Sequence, residues 1–443
     1  MITASNLRGD EPLYRKLADS ILEKIESGEF AAGSRLPSIR KFAAEVGVNN
    51  ATVVSAYRFL EEKRIVFSIR GSGMYVAQKP SFSEEPPALS DFRNYINFAD
   101  TSMPGDFFPA EDFRHAFDAV IDRYKAAAFA PTDENGYAPL RESVAAFLNS
   151  AIGASAEDIH IVPGMRQGLV QILSGLIRPG DSAVLESPCA PWAAAAFAFS
   201  GAKIHELPIT KNGPDLDRLS FIAKKFRPKV FFLSPSFQFP TGLCYTTSNK
   251  KEILKLAHTT NAYIIEADDY ANFFYDKPPT SLKAMDTSGQ VIYLQSFERL
   301  LAPGFGGYAV GRFSSNEAGA VSPLVQRGLD YYLRNYDFPA LCTKIRTVYA
   351  KKYRRAASAA QTFLSPYADF ILPGGGLGLW ISAKGKGFAD EILAHKVIVS
   401  PGRIYAPGKT SHEQHFRISF SNVTEDEISH GIGIIASVLS KGW

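Results

Sequence analysis

From residue 158 to 313 the chain alternates short apolar runs with longer segments of helical length, and no other feature limits its fold as much. The runs are DIHIVPG, SAVLES, KIHELPI, KVFFLSP, AYIIEADD, VIYLQS and GYAVGRF. They are rich in Val, Ile, Leu and aromatic residues and too short to be helices. Strands spaced this far apart need crossover connections, so the pattern predicts a mostly parallel α/β sheet covered by helices. Ligands of such sheets bind outside the carboxyl ends of the strands. After Pro323 come long helical runs, DYYLRNY and IRTVYAKKYRRAASAAQTFL. A smaller α/β part with GLWISAK, KVIVSPG and HFRISFS follows, expected as a C-terminal subdomain from about residue 335.

A chain of 443 residues is too long for one core, so at least two domains are expected. Its hydrophobic content of 46% and charged content of 21% are ordinary for a globular protein. The formal charge of +3 excludes a globally basic nucleic-acid binder, and any DNA-reading surface must be a local patch. Cys189, Cys244 and Cys342 form no CxxC pair, which argues against a disulfide framework or a zinc site. The opening MITASNLRGDEPLY has no apolar core of signal-peptide type, and no uncharged stretch reaches membrane-spanning length. A cytoplasmic protein with no membrane contact is expected.

The first 78 residues follow another pattern. YRKLADSILEKIESGEF places Leu17, Ile21, Leu22 and Ile25 at helical spacing before Gly28. A second helix begins near Pro37-Ser38, with Ile39, Phe42, Ala43 and Val46 as its inner stripe, and ends at Gly47. Asn49 and Asn50 then open a third helix with Val53, Ala56, Tyr57 and Leu60 inside. Helix, glycine turn and helix, followed by the hairpin-like IVFSIRGSGMYVA, read as a winged helix-turn-helix. The third helix would present Asn50, Thr52, Ser55 and Arg58 to a major groove of double-stranded DNA, with Asn49 at its start. Arg70, Gly71 and Ser72 would form the wing tip, and Arg35, Ser38 and Arg40 would add phosphate contacts. Plain protein-interaction modules share this pattern.

Residues 79–92, PSFSEEPPALSDFR, read as a linker, which leaves 93–443 as the larger domain. Several strand ends in it carry candidate ligand groups. Gly164, Met165 and Arg166 lie where a strand gives way to a helix, so their backbone can hold an anion. Asp268 and Tyr270 close one strand, and Ser296 and Arg299 follow another. Arg417, in a late strand, suits bidentate pairing with a carboxylate. Taken singly, each fits an ordinary strand-end turn or surface ion pair better than a ligand site.

Two resemblances bear on these residues. EPLYRKLADSILEKIESGEFAAGSRLPSIRKFAAEVGVNNATVVSAYRFLEEKRIVFSIRGSGMYVA resembles the DNA-binding domain of GntR-type bacterial regulators. NFADTSMPGDFFPAEDFR, NGYAPLRESVAAFL, LSPSFQFPTG, IIEADDYANFFYD and LAPG with GY after it resemble, in order, the fold-type-I aminotransferases. The combination is similar to the MocR subfamily of regulators and extends over nearly the whole chain. The resemblance implies a fold-type-I transferase-like domain, pairing of two chains in a homodimer, and a pocket for pyridoxal phosphate. By this likeness Asp268 and Tyr270 would serve that cofactor, and Arg417 would clamp a carboxylate. Tyr137 and Gln238 lie in matching segments.

The chain departs from the family where the cofactor is held. QSFERLLAPG stands where GSFSKTLAPG is usual, so the Schiff-base lysine falls at Arg299. A guanidinium stays protonated and offers no free amine to an aldehyde. The run FGG after LAPG lacks the usual phosphate arginine, Ala190 stands where a stacking ring is usual, and Phe237 replaces a histidine. Trp192 is near enough in sequence to compensate. The expectation is therefore a regulator that has lost aminotransferase activity and binds a small effector bearing a carboxylate or phosphate. Reversible, non-covalent pyridoxal phosphate is the alternative. A working aminotransferase and a purely structural dimerisation body are the remaining readings.

Overall fold

The computed structural model describes residues 12–31, 33–63, 65–69, 73–76, 94–315, 319–385, 387–408 and 412–442. The chain divides into two compact units between Arg93 and Asn94. The linker expected at 79–92 and the wing-tip residues Arg70, Gly71 and Ser72 lie outside the described residues.

The first unit holds helices α1 (Leu13–Glu26), α2 (Ile39–Val46) and α3 (Asn50–Glu62) and an antiparallel hairpin, β1 (Val66–Ile69) with β2 (Gly73–Val76). Leu17, Ala18 and Ile21 bury the inner stripe of α1 against Phe42, Val46, Val53, Ala56 and Leu60. Ser38 caps α2 by accepting from the Lys41 N–H at 3.4 Å. Gly47 ends that helix at φ 76°, a left-handed turn that costs a residue with a Cβ about 1 kcal/mol or more. Asn49 caps α3, its Oδ1 accepting from the Thr52 N–H at 2.7 Å. The Tyr57 hydroxyl donates to the Pro37 carbonyl at 2.8 Å and ties α3 to the start of α2. Ile39 departs from the expected stripe: it is 37% exposed, because the first residue of α2 lies past the edge of this small core.

The second unit opens with β3 (Ile96–Asn97) and helices α4 (Ala110–Tyr124) and α5 (Ala138–Ile152). Then follow β4 (Ile159–Val162), α6 (Met165–Leu176), β5 (Ser182–Ser187), α7 (Pro191–Phe199), β6 (Lys203–Thr210), β7 (Gly213–Pro214), β8 (Val230–Leu233), β9 (Tyr263–Ala267), β10 (Val291–Ser296) and β11 (Gly307–Val310). They form one sheet in the order β4-β11-β10-β9-β8-β5-β6-β7. The run β10-β9-β8-β5-β6 is parallel, while β11 is antiparallel to both its neighbours. Every residue of β8 and β10 is buried, as expected for strands covered on both faces. A long helix, Phe338–Ala359, leads to a second, antiparallel sheet of four strands. These are β12 (Ala368–Phe370), β13 (Gly378–Ala383), β15 (Ser400–Pro401) and β16 (His415–Ser419); β14 (Val397–Ile398) pairs with β3 instead. The fold is thus the α/β architecture read from the strand pattern, preceded by a winged helix-turn-helix. Among the described residues no helix is long and apolar enough to cross a membrane.

Candidate functional site

The parallel strands end on one rim of the large sheet, and the segments that leave them enclose a cavity of about 300 Å³. Met165 and Arg166 come from the start of α6, Ala190 and Trp192 from the start of α7, and Ser234 to Phe239 follow β8. Asp269 and Tyr270 follow β9, Arg299 follows β10, and Tyr405 comes from the C-terminal part. A neighbouring cavity of about 400 Å³ shares Met165, Arg166, Trp192, Asp269 and Arg299 and adds Glu298 and Ser102. Among the described residues no lysine lines either cavity.

Arg299 is fixed from three sides. Its Nε donates to Asp269 Oδ2 at 2.9 Å, its Nη1 donates to the Thr101 carbonyl, and its guanidinium lies 5.2 Å from the centre of the Tyr270 ring. The pair is partly shielded, with side chains 22% and 15% exposed. Ser296, buried at the end of β10, donates to Asp269 Oδ1 at 2.6 Å, so both carboxylate oxygens are engaged. Burial works against the Arg299 charge, but Tyr270, Asp269 and Glu298 outweigh it and hold its pKa above the ordinary arginine range. Glu298 is half-buried, and that burial, with the Asp269 charge beside it, pushes its carboxyl up.

Asp269 did not stand out in the sequence beside Asp268. Successive residues at a strand end face opposite ways, and only Asp269 belongs to the cavity wall. Asp268 is 2% exposed and its Oδ1 has no partner among the described residues. Burial pushes it up to about 7, even with the Tyr293 hydroxyl beside it.

Other candidates lie apart from the cavity. Arg417 on β16 is 2% exposed and lines a crevice of about 10 Å³. The Phe239 ring covers its guanidinium at 4.7 Å and stacks parallel to Tyr270 at 5.7 Å. Arg417 Nη1 is buried with no hydrogen-bond partner among the described residues. Gln238 is consumed internally: its amide donates to Glu186 at 2.9 Å and to the Pro188 carbonyl at 2.8 Å. Tyr137 packs under Arg327, 4.8 Å from its ring centre, and is not among the cavity residues of this chain. Gly164 caps α6 at φ 131° and meets the Glu298 carboxylate.

In the first unit Arg35, Arg40, Asn50, Ser55 and Arg58 are exposed, as is Val54 of the same helix. Asn49 and Ser38 spend their side-chain oxygens on capping, and Thr52 donates its hydroxyl to Asn49 at 2.8 Å.

Residues 13–76 match the family of bacterial regulatory proteins, gntR family, and residues 94–318 match aminotransferase class I and II. The chain therefore belongs to the aminotransferase class I and II family, with a gntR-family DNA-reading domain in front, which is the architecture of MocR-type regulators. It is 26% identical to the uncharacterized HTH-type transcriptional regulator YdfD of Bacillus subtilis, over 95% of each chain. It is also 26% identical to 2-aminoadipate transaminase of Thermus thermophilus, over 76% of this chain and 88% of that one. Among solved structures, Pyrococcus horikoshii kynurenine aminotransferase superposes with a TM-score of 0.74 at 25% identity, over 80% of this chain and 92% of the other.

Pyridoxal phosphate is the cofactor that the aminotransferase fold implies. The cavity wall fits its covalent form poorly: it offers no amine, Ala190 presents no ring, and a carboxylate lies at the N-terminus of α6.

Proposed function

We propose that this transcriptional regulator reads DNA with its first unit and uses the rim cavity of its aminotransferase-like unit to bind a small carboxylate effector, with no Schiff base to pyridoxal phosphate. The observation that carries this reading is the state of Arg299. It stands in the cavity wall, always protonated and locked to Asp269 and Thr101, where an imine would need a free amine. Arg166 is the natural anchor for the effector. It lines the cavity, is exposed, and has no ion-pair or hydrogen-bond partner among the described residues. Arg417, sealed behind Phe239, is a weaker anchor than its place in the sequence implies. The chains would act as homodimers, so that two winged units meet two half-sites. Effector binding alters DNA affinity only as far as it favours one state of the protein over another.

The test is direct. The full-length protein is incubated with pyridoxal phosphate, reduced with borohydride, and mapped by peptide mass. Amino-group transfer is assayed in parallel over a panel of amino acids. Neither a cavity adduct nor turnover is expected. A reduced adduct on a lysine of residues 94–443 that competes with amino acids, or any turnover, would sink the proposal.

A further inference from the structure

Glu298 sits where the second cavity meets the first turn of α6. Gly164, the cap of that helix, has no side chain; a Cβ there would stand 3.0 Å from Glu298 Oε1, 3.2 Å from its Cδ and 3.3 Å from Oε2. The carboxylate therefore stands where a side chain at residue 164 would begin. Glu298, Met165 and Arg166 line the same cavity. The free N–H groups of a first helical turn attract anions. Here a carboxylate of the chain itself stands beside that turn. A phosphoryl group brought to this turn meets a fixed negative charge at contact distance, and the nearby Arg299 is already committed to Asp269 and Thr101.

We infer that Glu298 is a specificity-determining residue that bars phosphorylated ligands from the cavity and leaves it to a non-phosphorylated aromatic carboxylate. Trp192, Phe239, Tyr270 and Tyr405 give the wall its aromatic character, and Arg166 supplies the cation. This inference rests on the reading of the cavity as an effector site and narrows the ligand class for it.

Pyridoxal 5'-phosphate and pyridoxal serve as probes, because they differ only in the phosphoryl group. Their dissociation constants are measured by calorimetry on the full-length wild type, Glu298→Ser and Glu298→Gln. The wild type is expected to bind the phosphorylated probe no more tightly than pyridoxal. Both variants are expected to shift that preference at least tenfold toward the phosphorylated probe. Glu298→Gln keeps the shape and loses only the charge, so a packing defect in the serine variant does not decide the matter. A tenfold wild-type preference for the phosphorylated probe overturns the inference. So does a preference that moves in neither variant, or variants that bind no phosphorylated probe at all. Failure of the effector reading registers separately, as turnover or a cavity adduct in the wild type, and does not depend on the phosphate preference.

Discussion

Arg299 differs from a lysine in more than its basicity. Its planar fork meets Asp269 through Nε and the Thr101 carbonyl through Nη1, two acceptors in different directions that one ammonium on a flexible stem cannot hold equally well. Arg299→Ala would leave Asp269 with Ser296 alone and is expected to destabilise the chain by about 2 kcal/mol, measured by urea unfolding. Arg299→Lys should cost less, about 1 kcal/mol, since the ion pair survives and the second hydrogen bond does not. The lysine by itself should gain no borohydride-reducible adduct with pyridoxal phosphate, because Glu298 still occupies the start of α6. Joined to Glu298→Ser it should gain one, located at residue 299 by peptide mass. An adduct in the single variant would mean that the carboxylate is no barrier. The sequence shows the arginine at 299 but not its partner, since nothing in the string ADDY says which aspartate turns toward the cavity.

Helix ends were the most legible elements. Ser38, Gly47 and Asn49 are residue types favoured at helix boundaries, and the structure puts a helix start, a left-handed turn and a helix start there. The parallel strands were equally readable as apolar runs between helices. The order of the sheet and the antiparallel β11 were not, because pairing is set by contacts distant in sequence. Nor was the cover over Arg417, which depends on how Phe239 stacks on Tyr270. In α3 the capping and reading roles separate experimentally. Asn49→Ala removes the cap and should lower stability by about 1 kcal/mol. Arg40→Ala should leave unfolding within about 0.5 kcal/mol of wild type, as exposed sites do, and Arg58→Ala within about 1 kcal/mol, as exposed polar pairs do. Each should weaken operator binding and lower the slope of log K against log salt by about one if it meets a phosphate. Unchanged anisotropy titrations would move the DNA surface elsewhere on the unit.

At the scale of the whole chain, the larger unit carries buried carboxylates that no ion pair offsets fully. Glu186 and Glu266 are fully buried, and Asp268 nearly so. Burial pushes Glu186 up to about 7, Asp268 to about 7 and Glu266 to about 8, the last helped by the Asp268 charge. An unfolded carboxylate titrates near about 4. Between these limits the folded chain holds protons that the unfolded chain has released, so stability falls as pH rises. Histidines complicate the lower part of the window. Burial lowers His160, His205, His412 and His415, which makes stability rise with pH below about 6.5. The carboxylates therefore dominate above that point. The midpoint of thermal unfolding is expected to drop between about pH 6.5 and 8. Glu266→Gln should flatten the drop while lowering the midpoint at every pH, because the carboxylate accepts from the Leu282 and Lys283 N–H groups at 2.7 and 2.8 Å and an amide can serve only one of them. A midpoint that climbs across this window in the wild type would show that these carboxylates are ionised in the folded chain, with the charge of the buried Lys250 favouring that form of Glu266 and Asp268.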